Sequence, residues 1–199
     1  MKKIIITALL STLVSSTSHA QEANKNTQQA KEEQKSTQTI ADFKTEATSL
    51  RWNSINDGVM GGRSQGSSYI TEASHLYFKG EISLKNNGGF SSIRTSGSKH
   101  DLSAFKGIQL RIKGDGRMYY LTTRTNGSRR IAYWSPIHTK KGEWVVVKVP
   151  FSTFYATSFG RKIPGMKLNT ANISSIGFML YDKKAGDFSL EVSEIKSYK

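Results

Sequence analysis

An alternation of apolar and polar residues, which begins near Asp42 and recurs towards the C-terminus, constrains the fold most strongly. In residues 107–113, isoleucine and leucine alternate with glutamine, arginine and lysine. Successive side chains of a strand point to opposite faces, so this spacing predicts a strand with one buried face. Three further segments have residues typical of strands: 144–149, 176–181 and 188–193. Pro150 marks the end of the segment 144–149.

Further short segments are typical of strands, and no segment of residues 42–199 keeps a helical apolar period for three turns. Short strands separated by turn residues, with connections too short for crossover helices, favour antiparallel pairing. The sequence therefore predicts an all-β fold, an antiparallel β-sandwich or jelly roll. The weaker strand candidates are Ser68–Ile70, His75–Leu84, Phe90–Thr95, Met118–Arg124 and Ile131–Trp134.

The N-terminal residues have the pattern of a secretory signal peptide. Two lysines precede an apolar run at residues 4–14, and small residues lead up to Ala20. We expect cleavage between Ala20 and Gln21, a polar spacer over residues 21–40, and one domain over residues 41–199. These features predict a periplasmic or secreted protein without a membrane span.

The positive charge lies in the predicted domain. Residues 41–199 contain 24 basic and 12 acidic side chains, whereas the spacer contains three of each. Such a field favours anionic partners, although a generally basic, soluble surface is an alternative explanation. The basic residues are scattered rather than clustered in one run, so we do not expect a nucleic-acid partner.

Several classes of chemistry lack their usual residues. The chain has no cysteine, and its four histidines show no metal-ligand spacing. Neither a Walker motif nor a dinucleotide-binding glycine pattern is present. We therefore expect no catalytic residues, no metal site, no cofactor and a monomeric chain.

Asn56–Ser64 is a glycine-rich segment around Met60 and Arg63. One interpretation is a loop whose backbone, with Asp57, lines a pocket; the other is a structural loop in which Met60 plugs the core. Gly62–Gly66 also matches the G-x-S-x-G pattern of serine hydrolases, with Ser64 as nucleophile. A strand-like segment follows instead of a helix, which argues against a hydrolase.

A second turn, at residues 86–89, leads into a strand that carries Arg94. An arginine on a strand of small and apolar residues must find a partner or face a solvated concavity. Arg111 and Arg124 lie on neighbouring strand candidates, and Asp57, Asp101 or Asp115 could pair with any of the three arginines.

Four aromatic residues, Tyr119, Tyr120, Tyr133 and Trp134, lie on two consecutive strand candidates. On an exposed sheet face they would form a stacking platform for sugar rings; cross-strand packing is the alternative. The candidate ligand-binding residues from all these motifs are Asp57, Met60, Gly61, Gly62, Arg63, Asn87, Arg94, Arg124, Tyr133 and Trp134.

The same motifs, in order, resemble the complex I intermediate-associated protein 30 family. The resemblance covers residues 43–196, and its most specific motif is the glycine-rich loop. The matching motifs are Trp52, Asn56–Ser64, Phe78–Gly80, Asn87–Arg94, Asp101–Leu102, Gly107–Ile108, Arg111, Gly114–Gly116, Trp144, Val149–Phe151 and Ile176–Phe178.

The resemblance implies a galactose-binding-like jelly-roll sandwich without established catalytic residues. The founding member of the family is associated with assembly of respiratory complex I in mitochondria. Because the predicted signal peptide would place this chain on the other side of the membrane, the sequence does not predict a direct role in that assembly.

Three functions follow from these patterns. The leading hypothesis is a non-enzymatic binding or assembly-helper domain that engages a protein partner or a glycan, either of which could be anionic. A carbohydrate-binding module that uses Tyr119, Tyr133, Trp134 and Arg94 is the alternative, and an enzyme of unrecognised type is the third.

Overall fold

The computed structural model describes residues 36–41, 43–44, 50–127 and 130–199. The predicted signal peptide lies outside these residues. In the part of the chain described, the regular structure is strands and short 3-10 turns, and no helix is long and apolar enough to cross a membrane. The strands are β1 (Thr39–Ala41), β2 (Trp52–Asn56), β3 (Gln65–Ile70), β4 (Leu76–Ile82), β5 (Ser91–Thr95), β6 (Gly107–Gly114), β7 (Met118–Thr125), β8 (Ile131–His138), β9 (Trp144–Pro150), β10 (Tyr155–Ser158), β11 (Arg161–Ile163), β12 (Ile173–Leu180) and β13 (Gly186–Tyr198).

The strands form two antiparallel sheets. The six-stranded sheet has the order β3-β4-β13-β6-β9, with β1 paired to the C-terminal half of β13. The seven-stranded sheet has the order β11-β10-β8-β7-β12-β5-β2. This arrangement confirms the predicted antiparallel β-sandwich.

The core lies between the two sheets and follows the predicted alternation. Ile108, Leu110 and Ile112 on β6 are fully buried, while the polar residues between them point away from the core. Phe178 on β12 is fully buried from the opposite sheet. Burial of such side chains contributes about 1.5–3 kcal/mol each, so these faces supply much of the stability of a chain without disulfides.

Several strands were not predicted, because their side chains lack a clean alternation. On β2, Asn53 and Ser54 are adjacent and both exposed, since this strand is at the edge of its sheet. Strands β10 and β11 are also near an edge and contain only four and three residues. Short edge strands carry little hydrophobic signal, so sequence periodicity does not detect them.

Strand β1 starts inside the stretch that composition assigned to the spacer. Ile40 and Ala41 are buried against the core, and Thr39 pairs with Lys196 of β13. Strand β13 itself runs to Tyr198, beyond the predicted end at Ser193. Val192 and Ile195 are both buried although they are three residues apart, because a register shift between Val192 and Glu194 inserts one extra residue into the alternation.

Candidate functional site

The outer face of the seven-stranded sheet carries a groove. On β5, Ser91, Ile93 and Thr95 point into the core, so Ser92 and Arg94 point outward. The register aligns Arg94 with Gly177 on β12, Gly177 with Thr122 on β7, and Thr122 with Trp134 on β8. These four positions form one row across the middle of the sheet.

Gly177 has no side chain, and this leaves open space at the base of the groove. A Cβ atom at this position would lie 2.3 Å from the carbonyl oxygen of Ile93 and 2.8 Å from the Cβ of Arg94. The backbone therefore requires glycine here, and the absence of a side chain leaves space between Arg94 and Thr122. The groove encloses about 440 Å³.

Aromatic rings line one side of the groove in a continuous series. The ring centroids of Tyr120 and Trp134 are 5.5 Å apart, those of Trp134 and Tyr181 are 6.1 Å apart, and those of Tyr181 and Phe90 are 6.4 Å apart. Trp134, Tyr181 and Phe90 all line the groove. Neighbouring ring planes are tilted by 44° between Tyr120 and Trp134 and stand nearly edge-to-face in the other two pairs, so the series offers an apolar but uneven wall.

Three arginines line the same groove: Arg94, Arg124 and Arg130. Burial lowers the pKa of Arg94, and burial together with the charge of Arg94 lowers the pKa of Arg124. One guanidinium N–H of Arg124 donates to the carbonyl oxygen of Ile131 at 3.3 Å. Within the described residues, the groove lining contains no aspartate, glutamate or histidine, so its charge is positive.

The glycine-rich loop at one rim is fixed by Asp57. This carboxylate is buried and accepts hydrogen bonds from the backbone N–H of Ser64 at 2.8 Å and of Gly89 at 2.6 Å. It also accepts the hydroxyl of Ser64 at 2.5 Å and the N–H of Phe90 at 3.3 Å. Burial alone would raise the pKa of Asp57, but these hydrogen bonds outweigh burial and lower it.

Asp57 joins the glycine-rich loop to the Asn-Gly-Gly turn before β5. A Cβ atom at Gly62 would lie 2.3 Å from the Asp57 carboxyl carbon, so glycine is required for this close packing. Gly61 ends the short turn Asp57–Met60 in a left-handed conformation. Asn86 reinforces the junction by donating its side-chain amide to the carbonyl oxygen of Gly61 at 3.1 Å.

The fixed loop presents apolar side chains to solvent. Val59 is 74% exposed and Met60 is 66% exposed, so Met60 does not plug the core. Across the groove, Phe159 is 85% exposed. All three side chains line the groove and form what we call its apolar rim.

Phe159 occupies an unfavourable turn position. Ser158 pairs with Arg161, so Phe159 and Gly160 form a two-residue hairpin loop, and both have positive φ (47° and 78°). Such loops favour asparagine or glycine at the first position, because a bulky side chain is strained at positive φ. Folding therefore gives no reason for a phenylalanine here, and its exposure on the groove rim suggests a role in binding.

The structure brings together half of the residues predicted for a site. Met60, Asn87, Arg94, Arg124 and Trp134 line the groove. The other five do not: Asp57 and Gly62 form the packed junction under the loop, Gly61 and Arg63 are exposed outside the groove, and Tyr133 is in the core at 5% exposure.

The predicted aromatic platform has a different composition from the one expected. Tyr119 is fully buried, and its hydroxyl donates to Asp115 at 2.9 Å and to the carbonyl oxygen of Ser189 at 3.0 Å. Tyr120, the next residue, lies beside Trp134 on the outer face. Two adjacent tyrosines on a strand must face opposite sides, and the sequence did not determine which one is outside.

The G-x-S-x-G pattern does not form a hydrolase site. Ser64 is buried, donates its hydroxyl to Asp57, and accepts the backbone N–H of Ser83 at 3.0 Å. Strand β3 follows it, where a nucleophile elbow requires a helix. His75 lies on the side of the six-stranded sheet, where its Nδ1 is hydrogen-bonded to Oε1 of Glu191 at 2.7 Å. Ser64 therefore has a structural role.

Sequence reasoning missed several groove residues, including Phe90, Arg130, Phe159, Met179 and Tyr181. The Phe-Gly dipeptide at residues 159–160, between two short strands, is a turn signal that could have marked Phe159. The other four contribute to the groove only through the cross-strand register, which has no local sequence signal.

Comparison with protein families finds a match between residues 41–192 and the model of complex I intermediate-associated protein 30. The chain is 37% identical over 103 residues to the mitochondrial complex I intermediate-associated protein 30 of Mus musculus, covering 48% of this chain and 31% of the relative. It is 25% identical over 185 residues to that of Drosophila melanogaster, covering 80% and 62%. Both matches span less than two thirds of the relative's own length.

Solved structures share the fold. The family 11 carbohydrate-binding module of the Clostridium thermocellum cellulase Lic26A-Cel5E superposes with a TM-score of 0.61 at 20% identity, covering 81% of this chain and 94% of the module. A family 30 carbohydrate-binding module from the same organism superposes with a TM-score of 0.55 at 14% identity, covering 82% and 97%. At such identities the likeness establishes a common β-sandwich.

The prediction of a periplasmic or secreted location is wrong. The named relatives of Mus musculus, Drosophila melanogaster and Neurospora crassa are mitochondrial proteins. The residues behind the prediction, 1–20, lie outside the part of the chain that the structure describes. A charged start followed by a short apolar run therefore did not identify the compartment.

Proposed function

The chain belongs to the complex I intermediate-associated protein 30 family, and from that premise we propose that it is a non-enzymatic binding domain that assists the assembly of respiratory complex I. Its relatives are named for association with a complex I intermediate, and the groove on the seven-stranded sheet is the surface through which this chain would hold a protein partner. A direct role in complex I assembly, which the sequence did not predict, thus becomes the leading proposal.

The apolar rim is the observation that carries the proposal. Val59, Met60 and Phe159 lie on two short loops and are exposed to water, and the backbone of Phe159 has a strained positive φ. Transfer of one such side chain into an interface stabilises a complex by about 1.5–3 kcal/mol. The hydrogen bonds that fix the glycine-rich loop also limit the entropy that Val59 and Met60 lose on binding, which favours a docking surface.

The chemistry of the groove supports binding rather than catalysis. Within the described residues, its lining has arginine, hydroxyl, amide, aromatic and apolar side chains, but no carboxylate or imidazole that could act as a general base. The buried carboxylate nearest the rim, Asp57, is already saturated with hydrogen bonds from Ser64, Gly89 and Phe90.

A carbohydrate-binding module remains the second candidate, because Tyr120, Trp134 and Tyr181 place neighbouring aromatic rings on this face, and a sugar ring could stack on one of them. A neutral glycan presents many hydroxyl groups that need both donors and acceptors. Arginine has only donors, and the three arginines of this groove are more suited to an anionic partner. We therefore favour a protein partner.

The test is to remove the protein from the cells that make it and to quantify assembled complex I on native gels. We expect assembled complex I to fall and the wild-type chain to restore it. Phe159→Asn should not restore it, although this variant relieves backbone strain and should fold at least as well. Val146→Asp is the matched control, because Val146 is 60% exposed on the opposite sheet.

Unchanged complex I after removal of the protein would refute the assembly role. Full rescue by Phe159→Asn, together with rescue by Met60→Asp, would refute the groove as the docking surface. A family 11 carbohydrate-binding module from Clostridium thermocellum has been solved in complex with a β-1,3-1,4-mixed-linked tetrasaccharide. Specific binding of this tetrasaccharide by the purified chain, lost in Trp134→Ala, would support the carbohydrate-binding alternative.

A further inference from the structure

Arg94 is a partly buried cation, and such a group needs an anion or a hydrogen-bond acceptor as a partner. Its guanidinium lies in the groove and, within the described residues, makes no hydrogen bond or ion pair. The three carboxylates that the sequence analysis named as possible partners accept hydrogen bonds from other groups. Asp57 accepts them from Ser64 and Gly89, Asp101 from Ser103, and Asp115 from Tyr119 and Ser189. A partly buried cation without a partner is unfavourable, so a ligand anion would stabilise it.

Arg124 is a second cation in the same groove, and it makes an anionic ligand more favourable. The charge of Arg94 lowers the pKa of Arg124, so the two guanidinium groups are close enough to repel each other. They are on β5 and β7, on either side of β12 and its Gly177. In the register, Gly177 pairs with Arg94 and Ser175 pairs with Arg124, so the space above these two residues of β12 lies between the arginines. One anion placed there could accept hydrogen bonds from both.

The surroundings of this cationic pair are apolar. Trp134, Met179 and Tyr181 line the groove, and the exposed side chains of the apolar rim lie at its edges. A small inorganic anion would leave these surfaces in contact with water. A ligand that has an anionic group next to a large apolar group would cover both.

We propose that the groove binds an acidic peptide segment of the partner protein, in which an aspartate or glutamate carboxylate is held by Arg94 and Arg124. A neighbouring apolar side chain of that segment packs between Trp134 and the apolar rim. This inference rests on the proposed function, since it takes the groove to be the protein-docking surface. It also explains why, in the part of the chain that the structure describes, the groove lining carries no acidic residue, which would repel such a segment.

The experiment is a selection of random dodecamer peptides displayed on phage against the immobilised full chain. Enriched peptides should contain aspartate or glutamate beside an aromatic or aliphatic residue. Fluorescence polarisation of the synthetic peptides should show an affinity loss of roughly 10- to 100-fold for Arg94→Gln, as removal of a charge-assisted hydrogen bond predicts. Arg94→Lys should bind with intermediate affinity, because it keeps the charge and loses the bidentate geometry.

Arg111→Gln is the matched control. It removes the same charge from an exposed position on the six-stranded sheet, where Arg111 contacts Ser193 and the ring of Trp144. Its affinity for the selected peptides should equal that of the wild-type chain. Replacement of the peptide's acidic residues by asparagine or glutamine should weaken binding to the wild-type chain more than binding to Arg94→Gln, in which only Arg124 still holds the carboxylate.

Enriched peptides without acidic residues, no enrichment at all, or equal affinity for Arg94→Gln and Arg111→Gln would each overturn the proposal. Neutral peptides that lose binding in Met60→Asp would overturn the acidic ligand and leave the protein-docking groove intact. Binding of the mixed-linked tetrasaccharide in place of peptides would overturn both. Unchanged complex I in cells, combined with acidic peptides bound through Arg94, would refute only the assembly role.

Discussion

Replacement of Asp57 by asparagine tests whether the glycine-rich loop is held by one buried carboxylate. One carboxylate oxygen accepts the Ser64 N–H, and the other accepts the Ser64 hydroxyl and the N–H groups of Gly89 and Phe90. Asparagine has nearly the same shape but offers one acceptor oxygen, and its amide would face at least one N–H donor. The variant therefore loses the negative charge from three contacts and leaves a buried N–H without an acceptor.

The structure allows an estimate of the loss. Hydrogen bonds to a charged acceptor are about twice as strong as neutral ones, and a buried unpaired donor costs about 1–3 kcal/mol. Together these predict that Asp57→Asn lowers the free energy of unfolding by about 3 kcal/mol. For a domain of this size, that corresponds to a fall in Tm of roughly 6–12 °C.

The effect should depend on pH in a defined direction. The pKa of Asp57 is lowered in the folded state, so its contribution is fully present above the unfolded pKa of about 4 and disappears as pH falls through the folded pKa. The stability difference between wild type and Asp57→Asn should be constant from pH 7 to 5 and shrink below pH 4.

Urea unfolding followed by tryptophan fluorescence at several pH values measures this difference. Asp187→Asn is the control, because Asp187 is exposed and its carboxylate accepts no hydrogen bond from the described residues. It should leave stability unchanged at neutral pH. A loss of less than about 1 kcal/mol for Asp57→Asn, or a difference that stays constant down to pH 2, would refute the argument.

Three further predictions concern stability alone. Phe159→Asn should raise the free energy of unfolding by about 0.5–1 kcal/mol in urea titrations, because it relieves a bulky residue at positive φ; a decrease would contradict this explanation. Tyr133→Ala should lower the free energy of unfolding by about 3–5 kcal/mol, because Tyr133 is in the core, whereas Trp134→Ala should lower it by less than half of that, because Trp134 lines the groove. Equal losses would contradict the assignment of these two side chains to opposite faces of β8. Asp182→Asn should cost about 2–3 kcal/mol at pH 7 in thermal unfolding, because Asp182 accepts two hydrogen bonds from Arg117 at 2.9 and 2.7 Å. Burial opposes the shift, but the hydrogen bonds from Arg117 outweigh burial and lower the pKa of Asp182 in the folded state. The stability difference should therefore be constant above the unfolded pKa of about 4 and shrink as pH falls below it; an undiminished difference at pH 2 would contradict this explanation.

Much of the fold could be predicted because its strands carry strong local signals. Residues 107–113 alternate without interruption, and β6 covers them with Ile108, Leu110 and Ile112 buried. For Arg94 the sequence left two possibilities, a partner or a solvated concavity, and the structure places it on the outer face of β5, opposite to Ile93. Strand β2 lacked such a signal, because an edge strand with polar residues on both faces contributes little to the core.

The candidate site could be predicted only in part. Met60, Arg94 and Trp134 stood out because an apolar residue in a glycine-rich loop, a lone arginine and an aromatic cluster are each unusual locally. Tyr181 and Phe159 did not stand out, since their place in the groove depends on strands that are far apart in the sequence. The exposure of Met60 depends on the Asp57 junction, which joins segments more than thirty positions apart.

The sequence by itself determined that this chain forms short strands with one buried face, that its loops contain close-packed glycines, and that its domain is basic. Each of these properties is local or additive, and so it can be obtained from residue types and their spacing. Only the tertiary structure decided that Tyr120 and not Tyr119 faces the groove, and that Arg94 and Arg124 face the same groove from either side of Gly177. A period of two fixes which residues share a face but not which face is inside, and that choice depends on pairing between distant strands.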